Sequence, residues 1–473
     1  MRLLYLTIIT LFTSLATPTS AADGQSLHGK LASQTQRLLE DVQMKNASIS
    51  FYVADASSGE VVYQYSGHRG LSPASSQKIF TAIAAFERLG KDFTFKTVLG
   101  YKGQVASGVL KGDLILKGYG DPTLGSWRYP GYKPEDVKSK ILNSLKTAGI
   151  RAVDGDILID ETAYGFNPVP GGWPWNDIGN YYGAGDWGVN WKENQVNITY
   201  RGSHPGGGVS ITKVDPEMPG VQLVNKMVAG PAGSSDLSRI FTAPYSPVAL
   251  IDGRVPSGTT RMATGSMPNP PFQLGVDIQR WLKENQIYIT GSVKTGGNMV
   301  ISGQKVPEMD KVIDTYHSPG LSSIVHHFLR KSVNLYGEAF AKAIGYEDKQ
   351  EGSTQTGVEQ IRKFWQANGI SNSELGMMDG SGLSPQNYVS AYAEVKALLY
   401  ARKQPWFADF YEALPTYNNT KMKSGTIHAC KAYAGYQKSS SGKTYVFSII
   451  INNYYGSQYS LLPKMYRILN VLK

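Results

Sequence analysis

The chain has one cysteine, Cys430, in 473 residues. No intrachain disulfide can form, so stability must come from packed cores, for which this length is ample. Histidine is sparse as well: there are seven, none at a metal-ligand spacing such as His-Glu-x-x-His, and the adjacent His326 and His327 read as surface or packed residues of a helix. Neither a phosphate-binding P-loop nor a strand-linked dinucleotide fingerprint occurs, so no metal and no cofactor is expected. Long apolar runs are scarce too. The run from Leu3 to about Leu15 falls short of the about 20 residues that a membrane helix needs.

That run follows a single charge, Arg2, and precedes the small residues Thr19-Ser20-Ala21-Ala22. This is the pattern of a secretory signal peptide over residues 1–22, cut after Ala21 or Ala22. No cysteine follows it to carry a lipid. The expectation is an exported protein of the periplasm or cell envelope of a bacterium. Acidic residues run short toward the end, where only Asp409 and Glu412 stand against ten lysines and arginines from residue 401 onward. Basic surface suits nucleic acid, an anionic membrane or an acidic polymer. Export makes nucleic acid the poorest of these, and much of the charge reads as solvated surface.

What is present is organised around Ser75-Ser76-Gln77-Lys78, which opens an apolar stretch with Ile79, Ala82, Ile83, Phe86 and Leu89 at helical spacing and Gly90 as a stop. Residues three apart share a helix face. Ser75 and Lys78 are therefore within reach of each other, as a nucleophile and its base must be. Burial or a nearby cation can lower a lysine pKa far enough to free its lone pair. Three other Ser-x-x-Lys matches begin at Ser210, Ser302 and Ser440, where roughly two or three in all are expected by chance. Ser210 lies in a strand pattern, whose residues three apart face opposite sides, and the other two lie in glycine turns. On this stretch alone Ser75 reads equally well as an N-cap.

Two further motifs shift that balance. Ser-x-x-Lys, Ser-x-Asn and Lys-Thr-Gly together are the set used by penicillin-interacting serine enzymes. Ser332-Val333-Asn334 is the one Ser-x-Asn in the chain. A literal Lys294-Thr295-Gly296 precedes it, whereas the variant Lys423-Ser424-Gly425 follows it. In these enzymes the third motif comes last, on a strand lining the site, so Lys423 is preferred on order. Its surroundings agree: Met422 to Ile427, Ala429 to Gln437 and Thr444 to Ile451 are β-rich runs with short breaks, as antiparallel neighbours require.

With these motifs the chain resembles the low-molecular-mass class C penicillin-binding proteins, the D-alanyl-D-alanine carboxypeptidases and endopeptidases. The resemblance extends over the mature chain through Gly112-Asp113-Leu114, Gly120-Asp121-Pro122-Thr123-Leu124, Trp173-Pro174-Trp175-Asn176-Asp177, Arg330 to Tyr336 and Asp379-Gly380-Ser381-Gly382-Leu383-Ser384. Ser424 stands where the family usually has threonine, and keeps the hydroxyl that meets a substrate carboxylate. The resemblance implies an α+β fold of the penicillin-binding/β-lactamase-like kind: a catalytic domain with an antiparallel sheet flanked by helices, carrying two nested inserted domains.

About 250 residues separate Lys78 from Ser332, far more than one site needs to join two walls. Adopting the nesting places the catalytic domain at 23–95 and 310–473, a second domain at 96–180 and 265–309, and a third at 181–264. Five of the eight tryptophans fall between Trp127 and Trp191, a cluster that usually means packing rather than sugar stacking. Asp177 is expected, by resemblance, at the site mouth to bind the free amine of a diamino-acid side chain. A turn-forming Asp is the plainer reading. The C-terminal stripe Leu461, Leu462, Met465, Ile468, Leu469, Leu472 beside Lys464 and Arg467 suits weak association with an anionic bilayer, or packing against the terminal sheet, which is favoured. Oligomeric state is left open.

The resemblance also implies a mechanism. Lys78 takes the Ser75 proton, and Ser75 attacks a D-alanyl carbonyl of a peptidoglycan stem peptide. Asn334 holds the substrate backbone, its carboxylate lies near Lys423 and Ser424, and Gly425 and Thr426 also bind substrate. Backbone donors at Ser75 and Thr426 form the oxyanion hole, and Ser332 relays a proton to the leaving amine. β-Lactam inhibitors would acylate the same serine. A fast-deacylating β-lactamase and a non-catalytic peptidoglycan-binding protein remain as alternatives.

Overall fold

The computed structural model describes residues 26–473; the expected signal peptide lies outside the described residues. Its centre is a six-stranded antiparallel sheet in the order Val61–Tyr65, Ser48–Asp55, Thr444–Asn452, Cys430–Lys438, Thr420–Ile427, Thr416–Tyr417. The N-terminal hairpin thus zips onto the last strand, from Ser48 opposite Asn452 to Asp55 opposite Tyr445. Alternation sorts the side chains between two cores. Phe51, Val53, Phe447 and Ile449 meet Leu31 and Leu38 of the helix Leu27–Leu39 and Leu461, Met465 and Ile468 of the helix Gln458–Leu469. The C-terminal stripe therefore faces the sheet, and Lys464 beside it is paired with Asp41 at 2.6 Å. That face is not available to a bilayer.

The opposite face, through Tyr52, Ala54, Val446 and Ile450, packs on a helical layer. The innermost member, Lys78–Leu89, is buried over its first nine residues, which is why its sequence is apolar almost all round. It ends at Gly90, whose φ of 84° supplies the left-handed stop read from the sequence. It lies against the helices Leu321–Arg330 and Asn334–Lys349. Among the described residues, no helix is long and apolar enough to cross a membrane.

The intervening chain builds two further units. A five-stranded sheet in the order Val293–Thr295, Ile157–Asp160, Leu114–Gly118, Lys96–Tyr101, Lys311–His317 packs under the helices Pro134–Thr147 and Pro270–Glu284. A smaller unit centres on the sheet Val209–Asp215, Gln195–Gly202, Thr260–Ser266 with its own core of Val196, Ile198, Tyr200, Ile240 and Ile251. Two expected edges move. Lys311–His317 pairs with Lys96–Tyr101, so the second unit continues past residue 310 to His317. Val189 and Trp191 lie in the second unit's core, so the third unit begins at the strand from Gln195 and closes at Ser266, rather than spanning 181–264. Both shifts arise because pairing and core packing, which carry the boundary, leave no mark on composition.

Candidate active site

Ser75 sits on a 3-10 turn, Ala74–Gln77, that leads into the α-helix starting at Lys78. Ala74 adopts φ 48°, a conformation that costs an L-residue on the order of 1–3 kcal/mol. The turn is wedged from both sides: a Cβ added to Gly425 would stand 2.0 Å from the Pro73 carbonyl oxygen, and one added to Gly382 would stand 2.1 Å from that of Ala74. The two glycines let the edge strand and the Asp379–Leu383 loop close on the serine.

Lys78 is wholly buried. Its Nζ lies 3.0 Å from Ser75 Oγ and donates to Asn334 Oδ1 at 2.6 Å and to the Ser381 carbonyl at 2.6 Å. The Asn334 amide is oriented by its other end, since Nδ2 donates to the Tyr182 carbonyl at 2.8 Å. Burial pulls the Lys78 pKa down to about 7, against the opposing pull of Asp379 and Glu338. A neutral amine has two N–H bonds and one lone pair. Two fixed acceptors take the N–H bonds, so the lone pair is left for the Ser75 hydroxyl.

Ser332, at φ 58°, precedes the helix Asn334–Lys349 and turns its hydroxyl to the third motif. Lys423 Nζ donates to Ser332 Oγ at 3.0 Å and to the Ser424 carbonyl at 2.9 Å. Burial first, then Lys78 and Lys431, hold the Lys423 pKa well below its ordinary value. An incoming carboxylate would favour the charged ammonium. Ser424 Oγ donates to Tyr417 Oη at 3.3 Å, and Lys431 Nζ donates to Thr426 Oγ1 at 2.7 Å. Strand Thr416–Tyr417 covers only Thr420 and Lys421, so Lys423 to Ile427 forms a free edge toward Ser75, where an extended peptide can add by β-augmentation.

Ser75, Ser332, Asn334, Thr426 and Asp177 line one cleft of about 440 Å³, with Lys78 and Lys423 buried behind it. Asp177 lies on the short helix Trp175–Ile178 and accepts from Tyr182 Oη at 3.1 Å. Larger hollows of about 880 Å³ along the helix Thr354–Ala367 and about 1020 Å³ beside Arg151 hold none of these groups. The literal Lys294-Thr295-Gly296 is remote from the cleft. Lys294 pairs with Asp156 at 2.6 Å, and Thr295 caps the helix Gly296–Ile301.

Several roles in the site escaped sequence reading, that of Asp379 among them although its segment marked the resemblance. Asp379 is fully buried and accepts from Gln77 Nε2, Trp173 Nε1, Asn387 Nδ2 and the backbone of Gly382 and Ser384. It fixes the loop that offers the Ser381 carbonyl to Lys78. Glu338, one turn beyond Asn334, accepts from Gly380 N at 3.0 Å and is pushed up to about 8, mainly by burial and then by Asp379. A buried acid in an apolar helix was the available signal. Arg128 and Gln195 bring the second and third units to the cleft wall.

Comparison with known proteins agrees with this architecture. The model of the D-Ala-D-Ala carboxypeptidase 3 (S13) family matches residues 31–464. A D-alanyl-D-alanine carboxypeptidase of an Actinomadura species is 26% identical, over 90% of this chain and 82% of the relative. The D-alanyl-D-alanine carboxypeptidase DacB of Haemophilus influenzae is 24% identical, over 89% and 87%. The crystal structure of penicillin-binding protein 4 from Haemophilus influenzae superposes with a TM-score of 0.80 at 22% identity, over 94% of this chain and 99% of that one.

Proposed function

The chain belongs to the D-Ala-D-Ala carboxypeptidase 3 (S13) family and is a serine-type DD-peptidase; on that basis we propose that Ser75 is its nucleophile, Lys78 the base, and peptidoglycan stem peptides its substrate. The observation that carries the assignment is the threefold setting of Lys78 Nζ between Ser75 Oγ, Asn334 Oδ1 and the Ser381 carbonyl.

The stem peptide lies along the free edge from Lys423 to Ile427, its terminal carboxylate toward Lys423 and Ser424 and its backbone against Asn334. Ser75 Oγ forms a bond to the penultimate D-alanyl carbonyl carbon as its proton passes to Lys78 Nζ. The Ser75 and Thr426 backbone N–H groups stabilise the tetrahedral oxyanion, a contribution worth about 2.7–4 kcal/mol per donor in other acyl-transfer enzymes. Collapse breaks the C–N bond, and Ser332, next to Lys423 Nζ at 3.0 Å, passes a proton to the departing amine. Water then cleaves the Ser75 ester. A terminal D-alanine or a D-alanyl cross-link fits the same description. Asp177 takes the free amine of the stem's diamino acid. The place of action is the cell envelope.

Labelled penicillin, digestion and mass spectrometry test the nucleophile. The expected result is a stable adduct on the peptide carrying Ser75, absent in Ser75→Ala. Retained trapping in Ser75→Ala, or an adduct elsewhere, refutes it.

A further inference from the structure

The wall of the cleft contributed by the second unit carries a cation that the mechanism above does not use. Arg128 lines the cleft, and its Nε donates to both carboxylate oxygens of Glu193, at 2.8 and 3.1 Å. Neither Nη nitrogen has a protein acceptor among the described residues. Glu193 has no exposed side-chain surface. It is held by Ser126 Oγ at 2.6 Å and by Tyr336 Oη at 2.8 Å, the latter two residues beyond Asn334 on the same helix.

The segment that presents Glu193 is built at a cost. Lys192, Glu193 and Asn194 all take left-handed φ values, 52°, 51° and 54°, a backbone that non-glycine residues hold only under strain. Asn194 stabilises the bend by accepting from Trp191 N at 2.9 Å and donating to the Gly185 carbonyl at 2.8 Å. A guanidinium whose stem is fixed by a buried carboxylate keeps its outer fork free for one planar anion, the geometry suited to a carboxylate. Lys331 lies on the same cleft but is an exposed, unanchored amine.

We propose that Arg128, oriented by Glu193, is a specificity-determining residue that binds a free side-chain carboxylate on the stem peptide, a group distinct from the terminal carboxylate received at Lys423. The assignment rests on the DD-peptidase reading of the cleft. It explains why Ser126, Arg128, Glu193 and Tyr336 are tied together within reach of Asn334. A peptide with its side-chain carboxylate amidated would leave the fork unfilled.

The test uses the mature protein, Arg128→Met, Arg128→Lys and Glu193→Gln, with two matched peptides ending in D-Ala-D-Ala, one bearing a free side-chain carboxylate and one the carboxamide. The expected result for Arg128→Met is a KM raised roughly 10- to 100-fold for the carboxylate peptide, near-unchanged kinetics for the carboxamide peptide, and an unchanged rate of penicillin acylation at Ser75. Arg128→Lys should recover part of the loss, and Glu193→Gln should show a smaller penalty of the same selectivity. Equal losses on both peptides would overturn the proposal, and so would slowed penicillin acylation, which would place Arg128 on the terminal carboxylate. If Arg128→Met does not fold, the selectivity of Arg128→Lys and Glu193→Gln decides in the same way. Absence of Ser75 labelling in the unsubstituted protein would instead refute the underlying DD-peptidase assignment.

Discussion

At the scale of single residues, the site depends on where one proton sits. Lys78 can accept the Ser75 proton only as a free amine, and burial brings its pKa to about 7. Below that pH the amine is protonated and the lone pair is lost; above it the base is available. The acylation rate with penicillin should therefore rise about tenfold per pH unit below about 7 and level off above it. A rate flat from about pH 5 to 8 would remove Lys78 from the base role. Lys78→Arg, which stays charged, should cost about 10²- to 10⁴-fold in the same assay while leaving the fold intact. Asp177 acts on a different part of the substrate. Its partner Tyr182 is joined through its own carbonyl to Asn334, so the Asp177 side chain is positioned without touching Ser75. Asp177→Ala should lower turnover of a stem peptide with a free side-chain amine, roughly 10-fold, and leave penicillin acylation near normal. Equal loss of both would reduce Asp177 to a turn residue.

At the scale of elements, the catalytic turn is placed by close backbone approach. The edge strand reaches Ser75 because Gly425 has no Cβ, and a methyl there would overlap the Pro73 carbonyl at 2.0 Å. Gly425→Ala should therefore push strand and turn apart, costing acylation at least about 10²-fold, with a smaller effect on thermal stability because the sheet behind is unchanged. Measuring both on one sample separates displacement from unfolding, and normal acylation would contradict the close fit. Such contacts also mark the limit of sequence reading. The helix from Lys78, the hairpin from Ser48 to Tyr65 and the three C-terminal strands were legible because their apolar periodicity matches their burial. The motif residues Ser75, Lys78, Ser332, Asn334 and Lys423 were legible from type, spacing and order, and the structure joins Lys78 to Ser75 and Asn334, and Lys423 to Ser332, at 2.6–3.0 Å. The roles of Asp379 and Glu193 were not. Asp379 was marked only as part of a segment that resembles the family, and Glu193 was a lone acid; what makes them important is convergence, of Gln77 and Trp173 as well as the local Gly382, Ser384 and Asn387 on the first, and of Ser126, Arg128 and Tyr336 on the second. Convergence of that kind has no period and no local signature.

At the scale of the whole molecule, the inserted units differ in how closely they are joined to the chemistry. The second unit carries Arg128 and the Glu193 bend, and Tyr336 of the catalytic helix bonds to that bend. The chain enters and leaves the third unit through one pair of strand ends. Gln195 and Ser266 are direct cross-strand partners, which places their Cα atoms about 4.5–5.5 Å apart, and the core beyond them is separate from the other three. The third unit also touches the second along one side: Trp175 stacks on Phe241 with ring centroids 6.1 Å apart, Trp187 meets Tyr245 edge-on at 4.9 Å, Tyr245 Oη donates to the Phe166 carbonyl at 3.1 Å, and Ile240 lies against Gly179. Because its core is its own and its strand ends are adjacent, replacing residues 196–265 with a tight turn should leave a folded protein. Ser75, Lys78, Asn334 and Lys423 all belong to the catalytic domain and draw no hydrogen bond from the excised segment. The shortened chain should acylate with penicillin within a few-fold of the full protein, read by the same adduct at Ser75. A shortened chain that melts cooperatively yet no longer acylates would show that the third unit holds the cleft wall in place from outside, through Gln195 and the Asp177 turn, and that the cleft is a joint product of all three units.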